Sequence, residues 1–395
     1  MRSRHIEGAT RLAQAALLRR IKYMILHVNS VCNAKCRMCF SWDAMMERWD
    51  AKGHTVENLA KLAASMKPLP QLTVSGGEPT LRKDLPQILQ VFYQNAGTRF
   101  FTCPTNSLKP DRVERTIDYF VEHCPRGFLN FCLPFHGDEE HYDEIMGVPG
   151  NFEKFNETYQ LIQEKRKKHP NISCVLNFVM SKFNYGQYKS IIDMGVRKYS
   201  ESPLGIAYCR GLTHERDATD VPVDIYLDAK RYLEARLSNH SRYNPYTIMF
   251  DTVGGQVATI IADVVTGERR DLKCGAGRNF IVVYDNGSVH PCELLEVVGI
   301  PGQKPGDGAP PQHAELGNLN DFGYDMKALL ASPYARKLID WIDTHECACT
   351  WECAVYSQIV HSPSGIAKLG AQVARYLAKG GPARAPVETA EPPAS

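Results

Sequence analysis

Six short apolar runs alternate with amphipathic stretches between residues 24 and 202. The apolar runs lie at 24–29, 71–75, 99–105, 128–135, 173–180 and 197–202, and the amphipathic stretches at 55–66, 84–95, 110–123, 152–168 and 184–194. In such an alternation each helix carries the chain back to the end of the sheet where the preceding strand began, so consecutive strands run parallel. Six units are too few to close an eight-stranded barrel. The expected fold class is therefore α/β, an open partial (βα)6 TIM-like barrel over 22–222. Its chemistry should collect at the carboxyl ends of the strands, where ligands of such sheets bind.

Beyond 222 the pattern changes. Within a connecting segment (223–273), a helix over 224–237 leads into a strand-like run at 246–250. Asp285-Asn286-Gly287 lies between apolar runs at 280–284 and 288–290, the strongest short-range hairpin pattern. Gly and Pro fill a loop over 299–313, and helices are expected at 326–330, 334–344 and 365–378. Domains follow: a helical lead 1–21, the barrel 22–222, the connecting segment, a cysteine-bearing domain 274–360, a terminal helix 361–378 and a Pro-rich polar tail 379–395, too poor in apolar residues to order.

Net charge bounds the partners. At +2 the chain has no overall field to attract nucleic acid or an anionic membrane. The basic run Lys165–His169 falls at a helix end, where cations complement the dipole. No apolar stretch is long enough to span a bilayer, and no signal peptide is read at the N-terminus. A cytoplasmic location is expected, and there the 13 cysteines point to metal binding or catalysis rather than bridging.

Three of those cysteines share one loop directly after the first strand: Cys32-Asn-Ala-Lys-Cys36-Arg-Met-Cys39. Three thiolates can hold three irons of a cubane and leave the fourth open. Zinc favours paired CxxC spacings, and no fourth cysteine follows for over sixty residues. Further segments fall at later strand ends. Ser75-Gly76-Gly77-Glu78-Pro79 closes the second, Pro104-Thr105-Asn106-Ser107 the third, and Phe135-His136-Gly137-Asp138 the fourth, followed by His141 to Gly147; the fifth carries Asn177.

Together, over roughly 22–210, these segments resemble the radical S-adenosylmethionine (SAM) superfamily. The CxxxCxxC loop corresponds to its cluster signature, and the Gly-Gly-Glu-Pro turn to the segment that receives the ammonium group of the cofactor. The resemblance implies a SAM-binding [4Fe–4S] cluster on Cys32, Cys36 and Cys39. It implies cofactor contacts from Met38, Phe40, Gly76, Gly77, Glu78, Pro79, Asn106, His136 and Asn177. Met38 stands where the family has an aromatic residue, Ser107 where it has glycine, and Pro134 and His136 where it has Ser and Asp.

Five more cysteines lie in the last third. Cys274 and Cys292 frame the hairpin in a C-x12-G-x4-C unit, and Cys347, Cys349 and Cys353 follow. This region resembles the SPASM and Twitch extensions of radical enzymes, which carry auxiliary clusters. Five cysteines suffice for one closed [4Fe–4S] cluster rather than two. Cys274, Cys292, Cys349 and Cys353 are the expected set, with Cys347 as substitute; a structural zinc site is the weaker alternative. Cys103, Cys124, Cys132, Cys174 and Cys209 are scattered singly and by default pack as small hydrophobes. Of these, Cys132 and Cys209 are candidates to face the reaction chamber and return a hydrogen atom.

The resemblance implies reductive cleavage of SAM to a 5′-deoxyadenosyl radical that takes hydrogen from a substrate, with flavodoxin or ferredoxin as reductant. The enzyme would be an oxidoreductase of dehydrogenase, epimerase or peptide-modifying type. Only 31 residues precede Cys32, too few for a packed leader-binding domain. The expectation leans to a small-molecule or cofactor-pathway substrate, then to peptide maturation. A non-catalytic iron–sulfur carrier is the alternative of a different class; it would have no use for the Gly-Gly-Glu-Pro turn.

Overall fold

The structure, a computed structural model, describes residues 21–48, 53–237, 245–268, 274–295, 314–344 and 350–360, together with 367 and 371. The lead 1–20, the loop 299–313, the helix expected at 365–378 and the tail lie outside the described residues, apart from 367 and 371, which are helical.

Strands β1 (Tyr23–His27), β2 (Gln71–Ser75), β3 (Phe100–Pro104), β4 (Phe128–Pro134), β5 (Ile172–Met180) and β6 (Leu204–Tyr208) pair in chain order, all parallel. Helices Val56–Ser65, Leu85–Val91, Pro110–His123, Asn151–Lys168 and Tyr188–Lys198 connect them. Local chemistry sets several helix ends. Thr55 accepts a hydrogen bond from the Asn58 amide, Pro110 opens its helix at a position that needs no N–H donor, and Gly147 ends the short helix Tyr142–Met146 at φ +67.

Two sequence expectations are corrected. The sixth strand is Leu204–Tyr208, not 197–202, because Arg197 and Lys198 close a helix and the turn after it places the next alternating run later. The strand-like run at 246–250 lies inside the helix Pro245–Val265; a short apolar run does not by itself distinguish a strand from part of a long helix.

The hairpin forms as read, from β7 (Phe280–Val283) and β8 (Ser288–His290). Gly287 sits at φ +94, and a Cβ there would meet Asn318 Oδ1 at 2.6 Å, so the turn requires glycine. β7 pairs parallel with β1, and β9 (Gly317–Asn318) adds to β8. The C-terminal third therefore extends the barrel sheet, in the order β6-β5-β4-β3-β2-β1-β7-β8-β9.

The strands of a buried parallel sheet usually read as continuous apolar runs. Here burial alternates, as in Leu204, Ile206 and Tyr208 buried with Gly205 and Ala207 half-buried. The outward set, including Leu26, Val74, Phe101, Phe131, Leu176, Phe178 and Ile206, packs under the helices against Leu59, Ile88, Phe120, Phe155 and Ile192. Each such side chain contributes about 1.5–3 kcal/mol by burial. The opposite face looks into the hollow of the partial barrel and mixes polar side chains such as Thr73, Thr102, Asn130 and Ser173 with apolar ones such as Ile25, Phe100, Phe128 and Val175.

Candidate active site at the cysteine loop

Strand register defines the hollow. Ile25, Thr73, Thr102, Asn130 and Ser173 are successive partners from β1 to β5, and so form one layer. Tyr23 Oη lies 3.0 Å from Thr73 Oγ1, and Ser173 donates to Asn130 Oδ1 at 2.9 Å. One layer nearer the mouth lie Pro104, Cys132 and Val175; the next holds Pro134, Asn177 and Gly205. Cys132 and Asn177 are half-buried on this wall. Burial pushes the Cys132 thiol up to about 12. Cys209 follows β6 and is 2% exposed, its amide continuing the pairing to Met180 O at 3.0 Å.

The cysteine loop leaves β1 at the mouth. Its leading segment rests backbone to backbone on the Gly-Gly turn: Gly77 N–H donates to Asn29 O at 3.0 Å, and Glu78 N–H to Val31 O at 2.8 Å. A Cβ on Gly76 would lie 2.3 Å from Asn29 O, and one on Gly77 2.3 Å from Val31 O. The close approach that these glycines permit is thus made by the chain's own cysteine loop. From the hairpin turn, Asp285 accepts from Ser30 Oγ at 2.7 Å.

Glu78 is buried and accepts four hydrogen bonds. Thr80 N, Thr80 Oγ1 and Thr105 Oγ1 reach Oε1 at 3.0, 2.6 and 2.9 Å, and Asn106 N reaches Oε2 at 2.6 Å. Burial raises its pKa, and these donors oppose the rise. The carboxylate ties the end of β2 to the end of β3, with Oε2 holding a single donor. Asn106 then points back to the loop, donating to Asn33 Oδ1 at 2.8 Å and to Cys32 Sγ at 3.7 Å.

Cys32, Cys36 and Cys39 are unbridged and half-buried. Burial pushes all three thiols up, Cys36 well above its ordinary range and Cys39 to about 12. Among the described residues no three His, Cys, Asp or Glu side chains converge on a point that a single ion would fill. A cubane makes no such demand, because each thiolate binds a different iron. Three clustered, unbridged thiols suit a polynuclear iron centre, whose positive charge would offset the cost of burying thiolates.

Met38 is buried in the core, Phe40 is half-buried, and Pro79 is buried at the start of a short turn. Burial holds His136, at the end of β4, down to about 4. Its Nδ1 accepts from Val179 N at 3.1 Å, which leaves the proton of the neutral ring on Nε2.

The C-terminal cysteines divide. Cys347 and Cys349 lie outside the described residues. Cys274 is buried and Cys292 half-buried at the two flanks of the hairpin, which turns the chain back to the end where it entered. Cys353 belongs to the helix Glu352–Val360, and its thiol lies beside the Tyr23 hydroxyl. That helix is moored at the β6 edge: Glu352 accepts from Tyr208 N at 2.8 Å and pairs with Arg210. Trp351 is buried against Phe280 of β7. Residues 351–353 thus reach from β6 to β1 and β7, bridging the gap of the open barrel.

Sequence reasoning missed two groups. One is the buried pair His27–Glu293, 3.0 Å apart, which joins the end of β1 to the residue after Cys292. The other is Arg37, inside the cysteine loop, whose guanidinium reaches both Glu144 and Glu215. Its position between two cysteines was the only available signal, and its partners are far away in sequence.

Residues 26–195 match the family model described as Radical SAM superfamily. The chain thus carries a radical SAM domain over these residues. In sequence it is 28% identical over 103 residues to a GTP 3′,8-cyclase of Tolumonas auensis, and 28% over 101 residues to one of Peptoclostridium acidaminophilum. Each match covers 25% of this chain and 30% or 31% of the relative, so the chain spans about a third of the length of these curated relatives. In fold it is similar to Streptococcus suis SuiB bound to S-adenosylmethionine, with TM-score 0.58, 14% identity, and coverage of 91% of this chain and 79% of that one. It is also similar to SuiB bound to the precursor peptide SuiA (TM-score 0.55, 14%, 91% and 77%) and to anSMEcpe with bound AdoMet (0.54, 14%, 91% and 97%). No helix among the described residues is long and apolar enough to cross a membrane.

Proposed function

We propose that this chain is a radical SAM enzyme in which Cys32, Cys36 and Cys39 hold a [4Fe–4S] cluster with one open iron. One observation carries the reading. The loop bearing three unbridged thiols is clamped by the Gly-Gly turn and Asn106 at the mouth of the hollow, where a reacting group and a substrate can meet. Held by Cys32, Cys36 and Cys39, the cluster would supply the electron for reductive cleavage of SAM, the chemistry by which a hydrogen atom would be taken from the substrate.

The protein's own residues bind and orient. The Glu78 corner, with a lone pair on Oε2, receives the cofactor's ammonium, and Asn106 holds the loop to that corner. Gly76, Gly77 and Pro79 shape the corner. His136 presents a neutral Nε2–H to the cofactor's polar groups, Asn177 lies in the same wall, and Met38 and Phe40 supply apolar surface at the loop. Cys274, Cys292 and Cys353, with Cys349 or Cys347, would hold one auxiliary [4Fe–4S] cluster. Cys132 faces the hollow and is better disposed than the buried Cys209 to return a hydrogen atom. An external carrier such as flavodoxin or ferredoxin would supply the electron.

Among the apolar residues of the wall stand uncharged hydrogen-bonding groups, Thr73, Thr102, Asn130, Ser173 and Asn177. Such a lining suits a neutral polar substrate, and a peptide backbone meets that description. The likeness in fold to SuiB, which covers 91% of this chain and was solved bound to a precursor peptide, favours the same class. A small-molecule substrate is the second reading; the cyclase matches favour it but cover only a quarter of the chain.

The test is cofactor cleavage. After anaerobic iron loading and reduction, the parent should form 5′-deoxyadenosine from SAM, and the Cys32→Ala/Cys36→Ala/Cys39→Ala variant should form none. Undiminished cleavage in that variant overturns the reading.

A further inference from the structure

We propose that Arg37 is a positioning residue that closes the rim of the open barrel onto the cysteine loop. The inference rests on the reading of that loop as the cluster site. In the sheet order β1 and β6 are five places apart, and no strand pairing joins them. Their following loops nevertheless meet, and Arg37 is where they meet.

Its guanidinium donates from Nε and Nη2 to the two oxygens of Glu215 at 2.7 and 3.0 Å, and from Nη1 to Glu144 Oε1 at 2.7 Å. The plane lies over the Phe183 ring, 3.7 Å from its centroid. Glu144 follows β4, Phe183 follows β5 and Glu215 follows β6, so one side chain gathers three rim loops. A planar fork with five donors can make these contacts together; an ammonium cannot.

The backbone repeats the arrangement. Arg37 N–H donates to Ile145 O at 3.1 Å, and Lys35 N–H to Met146 O at 3.2 Å. From the other side Glu215 N–H donates to Arg37 O, and His214 N–H to Cys39 O, each at 2.9 Å. The His214 ring stacks on Trp42 at 3.8 Å, and Arg216 pairs with Asp43 at 2.6 Å. Residues 36–39 therefore lie between the helix after β4 and the strap 213–216. Their two cysteines take their spacing from both. A substrate that moves the β5 or β6 loop would move the cysteine loop with it.

Two measurements on the full chain test this. The first is amide hydrogen exchange of 36–39 and 213–216, followed before and after anaerobic iron loading. Arg37→Met, of similar reach and no charge, should raise exchange in both segments together by about tenfold or more, with strands β1–β5 unchanged. Glu215→Gln should do the same to a lesser degree, and it decides the matter if Arg37→Met does not fold. Arg37→Lys should restore only part of the protection. The second is the EPR signal of the reduced cluster: at equal iron content, its change on adding SAM should be lost or broadened in Arg37→Met and partly recovered in Arg37→Lys. Unchanged exchange in either segment, or full protection in Arg37→Lys, overturns the proposal. A parent chain that binds no cluster overturns the reading of the site instead, and exchange in the iron-free chain still decides the role of Arg37.

Discussion

At the scale of single residues, burial in this protein changes what familiar side chains do. Glu78 is a carboxylate beside a proposed cation site, yet four of its hydrogen bonds go to its own chain. His136 is held neutral, with its folded pKa near 4 against an ordinary 6.5, because burial disfavours the charged ring. The sign follows. Between these two values the unfolded chain binds the proton and the folded chain does not, so stability rises with pH across that window. The stability linked to this residue is fully present above about pH 6.5 and is lost as pH falls toward 4, a change of roughly 3 kcal/mol. His136→Gln should flatten urea midpoints measured from pH 4.5 to 7. An equally steep dependence in the variant would mean that other groups, such as His290, also held down to about 4, dominate acid lability.

At the scale of elements, the helix Glu352–Val360 closes the barrel through a few strong contacts rather than through strand pairing. Glu352 accepts the Tyr208 amide at the free edge of β6 and pairs with Arg210, and both side chains are largely buried. Removing the carboxylate takes one charged partner from the guanidinium and the acceptor from an edge amide, which costs about 2–4 kcal/mol. Glu352→Ala should therefore raise hydrogen exchange in 351–360 and at Tyr208 while the outward-packed core keeps its protection. Global unfolding at the same denaturant as the parent, with exchange in 351–360 unaltered, would show that the Trp351–Phe280 packing alone holds the segment.

For the whole molecule, the hairpin that carries Cys274 and Cys292 continues the barrel sheet through β7 on β1. The cysteine loop leaves that same β1, so both cysteine groups hang from one strand and its neighbour. Two cubanes would bring about eight irons per chain. Iron and sulfide analysis of the loaded protein should give that value in the parent and about four in Cys274→Ala/Cys292→Ala. About four in both would confine the chemistry to one cluster and sink the auxiliary site.

The sequence by itself determined the parallel strand–helix series, the hairpin turn and the three-cysteine loop, because each depends on residues close together in the chain. Alternation, an Asn-Gly turn and a CxxxCxxC spacing are local signals with local physical causes. Where local signals were ambiguous, the reading failed: the run at 246–250 is helical, and β6 begins at Leu204. Only the tertiary structure decided what meets what. That Glu78 binds Thr105, that Arg37 gathers Glu144, Phe183 and Glu215, and that Cys353 reaches Tyr23 follow from how far the sheet curls before its ends approach. That curl is the sum of twist and side-chain packing over all the strands, and no short stretch of sequence contains it.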